Sequence, residues 1–266
     1  MTHPHRLDPG RDIHLADIPT NAKPYHQDRD EAEAQFKALR DEFIEWQRRL
    51  YAADKHKLLI VLQAMDAGGK DGTIRRILQG VNPQGVLVHS FKKPSEEDLA
   101  HDFLWRIHQR VPGRGMITLF NRSHYEDVLV VRVDRLVPEA VWQARYEQIN
   151  QFEKLLADTG TTILKFYLHL SKKEQQQRFT ERIQQPEKNW KFSLDDLNKR
   201  AQWDDYMAAY EAALNNCTTP WAPWYIIPAD QKWYRNLAIM NVIVATLREL
   251  NPQYPVAKVD LGTVVL

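Results

Sequence analysis

Residues 58–76 read LLIVLQAMDAGGKDGTIRR and contain the clearest indication of the fold in this sequence. The first five of these residues are all apolar, which is typical of a buried parallel strand, and the last of them favour a helix. A strand, a glycine-rich turn that ends in Gly-Lys and a helix together form the layout of a P-loop, whose backbone N–H groups cradle phosphate. Lys70 adds a full positive charge to this cradle. The sequence therefore predicts a protein that binds phosphate groups.

The loop departs from the common G-x-x-x-x-G-K-[ST] pattern at two positions. Ala64 stands where the first glycine is usual, and Asp71 stands where a Ser or Thr that binds Mg²⁺ is usual. Asp66 would repel phosphate unless a divalent cation lay between them, so we expect it to bind Mg²⁺. The alternative is an ordinary glycine-rich turn in which Asp66 caps the helix. The expected phosphate-binding residues here are Ala67, Gly68, Gly69, Lys70, Asp71, Gly72, Thr73 and Arg75.

Length and composition are those of an ordinary globular enzyme. The 266 residues suffice for one α/β domain with a large core. A net charge of +1 argues against nucleic acid as a partner, so any anion site must be a local concentration of Lys and Arg. The single cysteine, Cys217, excludes an intramolecular disulfide. We see neither a signal peptide nor an apolar run of about 20 residues, and expect a cytoplasmic protein without membrane contact.

Strands and helices are predicted to alternate along the chain. Apolar runs predict strands over residues 57–63, 86–88, 115–120, 161–168 and 224–227, and helical patterns cover 28–53, 70–79, 95–110, 138–159 and 230–250. This alternation indicates an α/β protein with a doubly wound parallel sheet of five strands flanked by helices, which binds ligands at the carboxyl ends of its strands. We expect an irregular arm over 1–25, a single domain over 26–251 and a tail over 252–266.

A second charged cluster, FNRSHYED at residues 120–127, follows the third predicted strand. The topology directs it to the same crevice as the P-loop. Arg122 can bind phosphate oxygens through both arms of its guanidinium, and Glu126 and Asp127 can bind a metal directly or through water. The alternative is a surface turn whose acids are solvated.

The polar segment that begins at Ser171 is predicted to form a lid. Arg178 and Arg182 are four residues apart, so they share one face of a helix. A basic helix-loop-helix above a P-loop is how small-molecule kinases close over phosphates and exclude water. The alternative is a solvated helix whose charges pair with its own glutamates. The expected lid covers residues 171–192, and its expected phosphate-binding side chains are Arg178, Arg182, Lys188 and Lys191.

Three motifs in order resemble polyphosphate kinase family 2. They are MDAGGKDGT at residues 65–73, FNRSHY at 120–125 and APWY at 222–225, and the resemblance runs from about residue 30 to residue 250. It implies a P-loop kinase fold like that of thymidylate kinase, with a helical lid. It also implies Mg²⁺, or Mn²⁺ in its place, as cofactor and a homo-oligomer, either dimer or tetramer. The implied reaction is phosphoryl transfer between inorganic polyphosphate and a nucleotide.

Carried over by residue, the resemblance implies that Asp66 binds the metal, Lys70 holds the transferred phosphoryl group and Arg122 grips phosphate. Many relatives have Asp at the position of Asn121 and lack acids at positions 126 and 127, so Glu126 or Asp127 is expected to complete the metal site. The placement of the acids at positions 126 and 127 rather than 121 resembles that in the subgroup that phosphorylates both nucleoside mono- and diphosphates. The expected catalytic residues are Asp66, Lys70, Arg122 and Asp127, the metal ligands Asp66, Glu126 and Asp127, and the nucleotide-binding residues Asn121, His124 and Glu126.

The expected reaction is therefore transfer from polyphosphate to ADP and AMP, and the reverse reaction that consumes ATP, with guanine nucleotides as further candidate substrates. Two alternatives remain at this stage. One is an ATP-dependent nucleotide or nucleoside kinase on the same fold, because the fold alone does not choose the donor. The other is a non-catalytic protein that binds polyanions.

Overall fold

A computed structural model describes residues 3–258, and its centre is a parallel sheet. Within this range the five strands are β1 (Lys57–Gln63), β2 (Val86–Ser90), β3 (Ile117–Asn121), β4 (Thr161–His169) and β5 (Trp224–Pro228). They lie in the order β2-β3-β1-β4-β5, and every neighbouring pair is parallel. Because β1 and β3 are neighbours, the loops that follow them leave one edge of the sheet side by side, where open α/β sheets bind ligands.

Helices cover both faces of the sheet. The described part of the chain forms α1 (Arg29–Ala53), α2 (Lys70–Ile77), α3 (Glu96–Leu99), α4 (Trp105–His108), α5 (Val130–Val133), α6 (Glu139–Asp158), α7 (Lys172–Gln184), α8 (Pro186–Asn189), α9 (Leu194–Ala201), α10 (Trp203–Asn216) and α11 (Lys232–Leu250). Helices α1, α2 and α11 pack on one face, and α6 and α10 pack on the other.

The strand β1 shows why the sheet is covered on both sides. Its side chains alternate between the two layers: Leu58 and Ile60 contact the core beside α1 and α11, while Leu59 and Val61 contact the core beside α6. All four are fully buried. A strand without a solvent-facing side has no polar alternation, which explains its continuous apolar sequence.

The five predicted strands are all present, with ends within two residues of the expected ones. The continuous helix predicted over 95–110 is wrong, because two short helices, α3 and α4, replace it. The carboxylate of Asp102 accepts a hydrogen bond from the Leu104 N–H at 2.9 Å. This local bond begins a new turn and interrupts the helical ladder, as aspartate side chains often do.

The described part of the N-terminal arm, residues 3–25, runs along the outer edge of β5. The Leu7 N–H donates to the Trp224 carbonyl at 2.8 Å, which adds an antiparallel contact to a sheet edge that would otherwise lack a partner. Further along, the Thr20 hydroxyl donates to the Asp230 carboxylate at 2.8 Å. The arm is thereby attached to the loop that connects β5 to α11.

Part of the predicted C-terminal tail, residues 259–266, lies outside the described residues, as do residues 1 and 2. None of the helices within residues 3–258 combines the length and the apolar character needed to cross a membrane.

Candidate active site

The P-loop connects β1 to α2 through residues 64–69. Gly69 is the N-cap of α2 with a φ of +100°, and Ala67 has a φ of +61°. The left-handed region is unfavourable for a residue with a Cβ, so Ala67 stores local strain of the kind found in binding loops. A Cβ at Gly69 would overlap the guanidinium of Arg235. The loop is therefore held in one shape, at a helix N-terminus that favours anions.

Lys70 carries a buried charge, and no carboxylate of residues 3–258 lies within ion-pair distance of its ammonium group. Its Nζ donates to the Ala64 carbonyl at 2.8 Å, and the residue is only 9% exposed. Burial and, to a smaller extent, the charge of Arg122 lower the pKa of Lys70 to about 8. The ammonium group is thus available to bind a phosphate oxygen, which would favour its charged form.

Asp66 is the acidic centre of the site. Its carboxylate lies 2.8 Å from Nη2 of Arg122 and 3.7 Å from Nζ of Lys199. Burial alone would raise the pKa of Asp66, but the charges of Lys70, Arg122 and Lys199 outweigh it and lower that pKa. Asp66 is therefore an ionised carboxylate surrounded by cations.

Arg122 joins the end of β3 to the P-loop. Its φ of +62° turns the chain sharply after the strand, and its N–H donates to the Leu62 carbonyl at 3.1 Å. The guanidinium lies between Asp66 and Glu126, whose carboxylate is 3.8 Å away. Burial alone would lower the pKa of Arg122, but the charges of Glu126 and Asp66 outweigh burial and raise that pKa. Arg122 is a fixed cation beside the P-loop.

Asp66 and Arg122 line a pocket whose side chains are of two kinds. Asp66, Arg122, Glu126 and Lys199 are charged, and the others are apolar or aromatic. Sequence reasoning did not find Lys199 or the aromatic side of this pocket. The remaining lining residues are Ala64, Met65, Leu129, Val130, Tyr206 and Tyr210.

The donor set of this pocket fits Mg²⁺. Asp66 and Glu126 bring two carboxylates to the same space, and hard cations prefer oxygen ligands. Residues 3–258 contain no cluster of three or more His, Cys, Asp or Glu side chains that could hold a metal by themselves. Mg²⁺ typically binds through one or two carboxylates together with substrate phosphates and water. Two carboxylates beside a P-loop match this mode of Mg²⁺ coordination.

Asp127 faces away from this pocket. Its carboxylate lies 3.2 Å from Nη1 of Arg145 and 3.8 Å from Nη2 of Arg106. Burial raises the pKa of Asp127 to about 6, although Arg145 and Arg106 oppose that rise. The structure brings Glu126, and not Asp127, together with Asp66.

The first turn of α2 contributes further predicted residues. Asn121 donates from its side-chain amide to the Asp71 carboxylate at 2.7 Å, which ties β3 to the start of α2. Thr73 is fully buried, and its hydroxyl has no hydrogen-bond partner within the described residues. Arg75 is exposed on the outer side of the helix.

Arg178 is buried behind the P-loop rather than exposed on a lid. Its Nη1 donates to the carbonyls of Ala67 and Gly68 at 3.0 and 3.1 Å, and its Nε donates to the Glu174 carboxylate at 2.8 Å. Its Nη2 donates to the Ala229 carbonyl at 2.6 Å and to that of the next residue. An arginine has five N–H donors, and these five bonds use all of them on protein acceptors.

Asp230 joins three segments at this point. One carboxylate oxygen accepts from the Thr20 hydroxyl of the arm, and the other accepts from the N–H of Ser171, the first residue of the predicted lid, at 2.8 Å. The Asp230 carbonyl accepts from Arg178 at 3.1 Å. The arm, the first residue of the lid and the back of the P-loop therefore share one anchor.

The other predicted lid residues divide between protein partners and the site. Arg182 donates to the Asp196 carboxylate at 3.1 Å, and Lys188 lies 3.9 Å from the Glu181 carboxylate. Lys191 lies over the ring of Trp190, at 4.9 Å from its centroid. Lys199 on α9, which follows the predicted lid, lies 3.7 Å from the Asp66 carboxylate.

His124 belongs to a buried network rather than to the pocket. The ring has no solvent exposure, and Nε2 lies 3.1 Å from the Glu153 carboxylate. Lys165 from β4 donates to that carboxylate at 2.6 Å and to the Tyr125 hydroxyl at 2.7 Å. This fully buried cluster fixes the chain just after Arg122 to α6 and β4, and thereby orients the pocket.

Breaking this cluster is expected to destabilise the fold. Lys165→Met leaves Glu153 as a buried charge without its cation, so we expect the free energy of unfolding to fall by about 3–5 kcal/mol. The double variant Lys165→Met/Glu153→Gln removes both charges and keeps an acceptor for Tyr125, and should recover part of the loss. Urea denaturation measures both. A double variant no more stable than the single one would contradict this account.

The fold and the site together define a P-loop phosphotransferase. The family model described as Polyphosphate kinase 2 (PPK2) matches residues 26–255, and the chain belongs to this family. A crystal structure of polyphosphate kinase 2 from Arthrobacter aurescens TC1 superposes with a TM-score of 0.93 at 39% identity, covering 97% of this chain and 92% of that one.

Two relatives are similar over most of their length. An AMP/ADP-polyphosphate phosphotransferase of Meiothermus ruber is 60% identical over 209 residues, which are 79% of this chain and 78% of that protein. An ADP-polyphosphate phosphotransferase of Rhodopseudomonas palustris is 45% identical over 262 residues, or 94% of this chain and 91% of that protein. The predicted family, the P-loop kinase fold and the prediction of an enzyme that transfers phosphoryl groups between polyphosphate and nucleotides are confirmed.

Proposed function

We propose that this protein transfers the terminal phosphoryl group of inorganic polyphosphate to both ADP and AMP, and that it catalyses the reverse reactions. The observation that carries the proposal is the approach of Lys70, Asp66 and Arg122 at the ends of β1 and β3, in a chain of this family. The relative named for both AMP and ADP supports the dual acceptor.

The mechanism needs no covalent intermediate. An acceptor phosphate is already anionic near neutral pH, so catalysis consists of positioning the two substrates in line and neutralising charge. The amides at the start of α2 and the Lys70 ammonium group hold phosphate oxygens, and Arg122 stabilises the charge that develops on the transferred group. Asp66 and Glu126 would hold Mg²⁺, with Mn²⁺ as a substitute, and the bound ion supplies further charge neutralisation. A phosphoanhydride replaces a phosphoanhydride, so the direction follows the concentrations of the substrates.

The lid in this proposal includes the predicted segment 171–192 and is extended to the end of α9, so that it comprises α7 to α9. Lys199 on α9 lies 3.7 Å from the Asp66 carboxylate, and this approach supports a role for the lid in bringing a cation to the phosphates. Arg182 is 3.1 Å from Asp196 and can exchange that carboxylate for a phosphate oxygen. A closed lid excludes water, which would otherwise hydrolyse the donor.

The test supplies polyphosphate, Mg²⁺ and either ADP or AMP, without ATP, and follows the nucleotides by chromatography. We expect ATP from ADP and ADP from AMP, and no product when a chelator removes the metal. Mn²⁺ should restore product, and GDP and GMP test guanine nucleotides. The Lys70→Ala variant, purified identically, controls for contaminating kinases. Product only when ATP replaces polyphosphate would contradict the proposal and favour an ATP-dependent kinase.

The proposal also includes a homo-oligomer, either a dimer or a tetramer, as the family resemblance implies. Light scattering on the eluting protein should give a mass of about two or four times the 31.2 kDa of one chain. A mass of one chain at assay concentrations would contradict it.

A further inference from the structure

A second arginine, Arg235, lies behind the P-loop and takes no part in the mechanism above. It projects from α11, is 3% exposed, and donates from Nη1 to the Gly68 carbonyl at 3.4 Å. Its Nη2 and Nε donate to the neutral amide oxygen of Asn236 at 3.0 and 3.3 Å. Within residues 3–258 no carboxylate lies in ion-pair distance of it.

The charge that acts on Arg235 is that of another cation, Arg178. Arg178 donates to the same Gly68 carbonyl at 3.1 Å, so two guanidinium groups converge on one peptide group. Burial, and then the charge of Arg178, lower the pKa of Arg235 to about 9. The charged form of Arg235 therefore opposes folding, because its desolvation is not repaid by an anion within the described structure.

The geometry of the peptide group shows what this arrangement does for the site. In a trans peptide the C=O and the following N–H point in opposite directions. Two arginines hold the Gly68 carbonyl on the α11 side of the loop, so the Gly69 N–H points to the opposite side, where the loop cradles phosphate. The guanidinium of Arg235 also fills the space where a Cβ of Gly69 would lie, so it packs directly against this peptide.

We infer that Arg235 is a positioning residue of the phosphate site: it fixes the Gly68–Gly69 peptide, and its buried charge gains a counter-ion when the P-loop binds a phosphate chain. The inference rests on the proposed function in that the chain is taken to be polyphosphate. It predicts opposite effects on stability and on catalysis, because the charge is a cost to the empty protein and a benefit to the loaded one. A purely structural arginine would show losses in both.

The test compares Arg235→Met and Arg235→Lys with the wild type in phosphate-free buffer. For Arg235→Met we expect a Tm equal to or above that of the wild type, a smaller rise in Tm on adding tripolyphosphate, and a kcat/KM for polyphosphate about 10- to 100-fold lower. Arg235→Lys keeps a positive charge and should recover part of kcat/KM. Arg248→Met is the matched control on the same helix, because Arg248 is exposed and pairs with Glu42. Its kcat/KM should stay within about twofold of the wild type.

Either of two results would overturn the inference. A lower Tm of Arg235→Met without phosphate would show that the charge is already compensated in the empty protein, and an unchanged kcat/KM would show that it positions nothing. If the wild type does not turn over polyphosphate, the proposed function fails. The tripolyphosphate-induced rise in Tm then decides on Arg235 alone: a reduced rise in Arg235→Met supports the inference, and an equal rise overturns it.

Discussion

Replacing Lys70 with methionine is expected to lower kcat/KM for polyphosphate by about a thousandfold while the protein stays folded. The substitution removes the cation of the P-loop, and within residues 3–258 it breaks one side-chain hydrogen bond, to the Ala64 carbonyl. Because burial lowers the pKa of Lys70, its charge is a cost to the folded protein, and a neutral side chain of similar length should be tolerated. Steady-state kinetics and the Tm measure the two effects. A loss of less than about tenfold would contradict the assigned role.

The same shift in pKa predicts a pH dependence for the wild type. Lys70 loses its proton as the pH rises through about 8, so kcat/KM for polyphosphate should fall above that pH. A bound phosphate favours the charged form, so the fall in kcat should come at a higher pH. For stability the sign is opposite: the penalty of the charge is fully present below pH 8 and is relieved as the pH rises toward the ordinary value of 10.5. Lys154→Met, at an exposed lysine that pairs with Asp158, is the control and should keep the wild-type profile.

Asp66→Asn is expected to abolish turnover, with a loss of about a thousandfold or more, and to leave the fold intact. The amide keeps the shape of the side chain but removes the negative charge that faces Arg122 and Lys199 and that would hold Mg²⁺. Turnover is measured over a wide range of Mg²⁺ concentrations, and circular dichroism reports on the fold. Rescue of kcat by high Mg²⁺ would assign Asp66 to metal affinity alone.

The control for Asp66 is Asp158→Asn, which changes an exposed carboxylate in the same way. It should leave both kcat and the Mg²⁺ dependence unchanged. Normal activity of Asp66→Asn would contradict the metal assignment and would make Glu126, the other carboxylate of the pocket, the candidate to test next.

The sheet and the P-loop were predictable because their signals are local. Residues 58–62 are apolar on both faces, and the glycines and Lys70 follow at once, so one window of sequence contains the whole argument. The helix α10 also had a local signal, since Trp203, Tyr206 and Tyr210 recur at helical spacing. The helices predicted above do not include this segment.

The roles of several charged residues were not predictable, because their partners come from distant parts of the chain. His124 stands in a polar cluster that resembles a binding loop, yet Glu153 on α6 and Lys165 on β4 draw it into the core. Arg178 lies on a basic helix, but carbonyl groups of the P-loop and of the loop after β5 take its donors. Charge patterns tell which residues are ionic, and only the tertiary structure tells which ions they face.

Lys199 is the opposite case, a residue that contacts the site although its local sequence pattern indicates a solvated ion pair. In the sequence it pairs with Asp195 at the i, i+4 spacing of a solvated helix, and the two are 3.0 Å apart in the structure. Nothing in that local pattern indicates that the same ammonium group also reaches Asp66. The spacing of residues along α9 does not indicate how this helix is oriented relative to the sheet.

The anchor at Asp230 has a consequence for how this protein can be modified. One carboxylate joins the arm to the first residue of the proposed lid, and the carbonyl of Asp230 accepts a hydrogen bond from Arg178, which contacts the P-loop. A dye or a fusion partner that displaces residues near Thr20 is therefore expected to disturb the P-loop as well. Lys154 on α6 is exposed and pairs with Asp158 of the same helix, so this position is better suited to surface immobilisation or to a spectroscopic label.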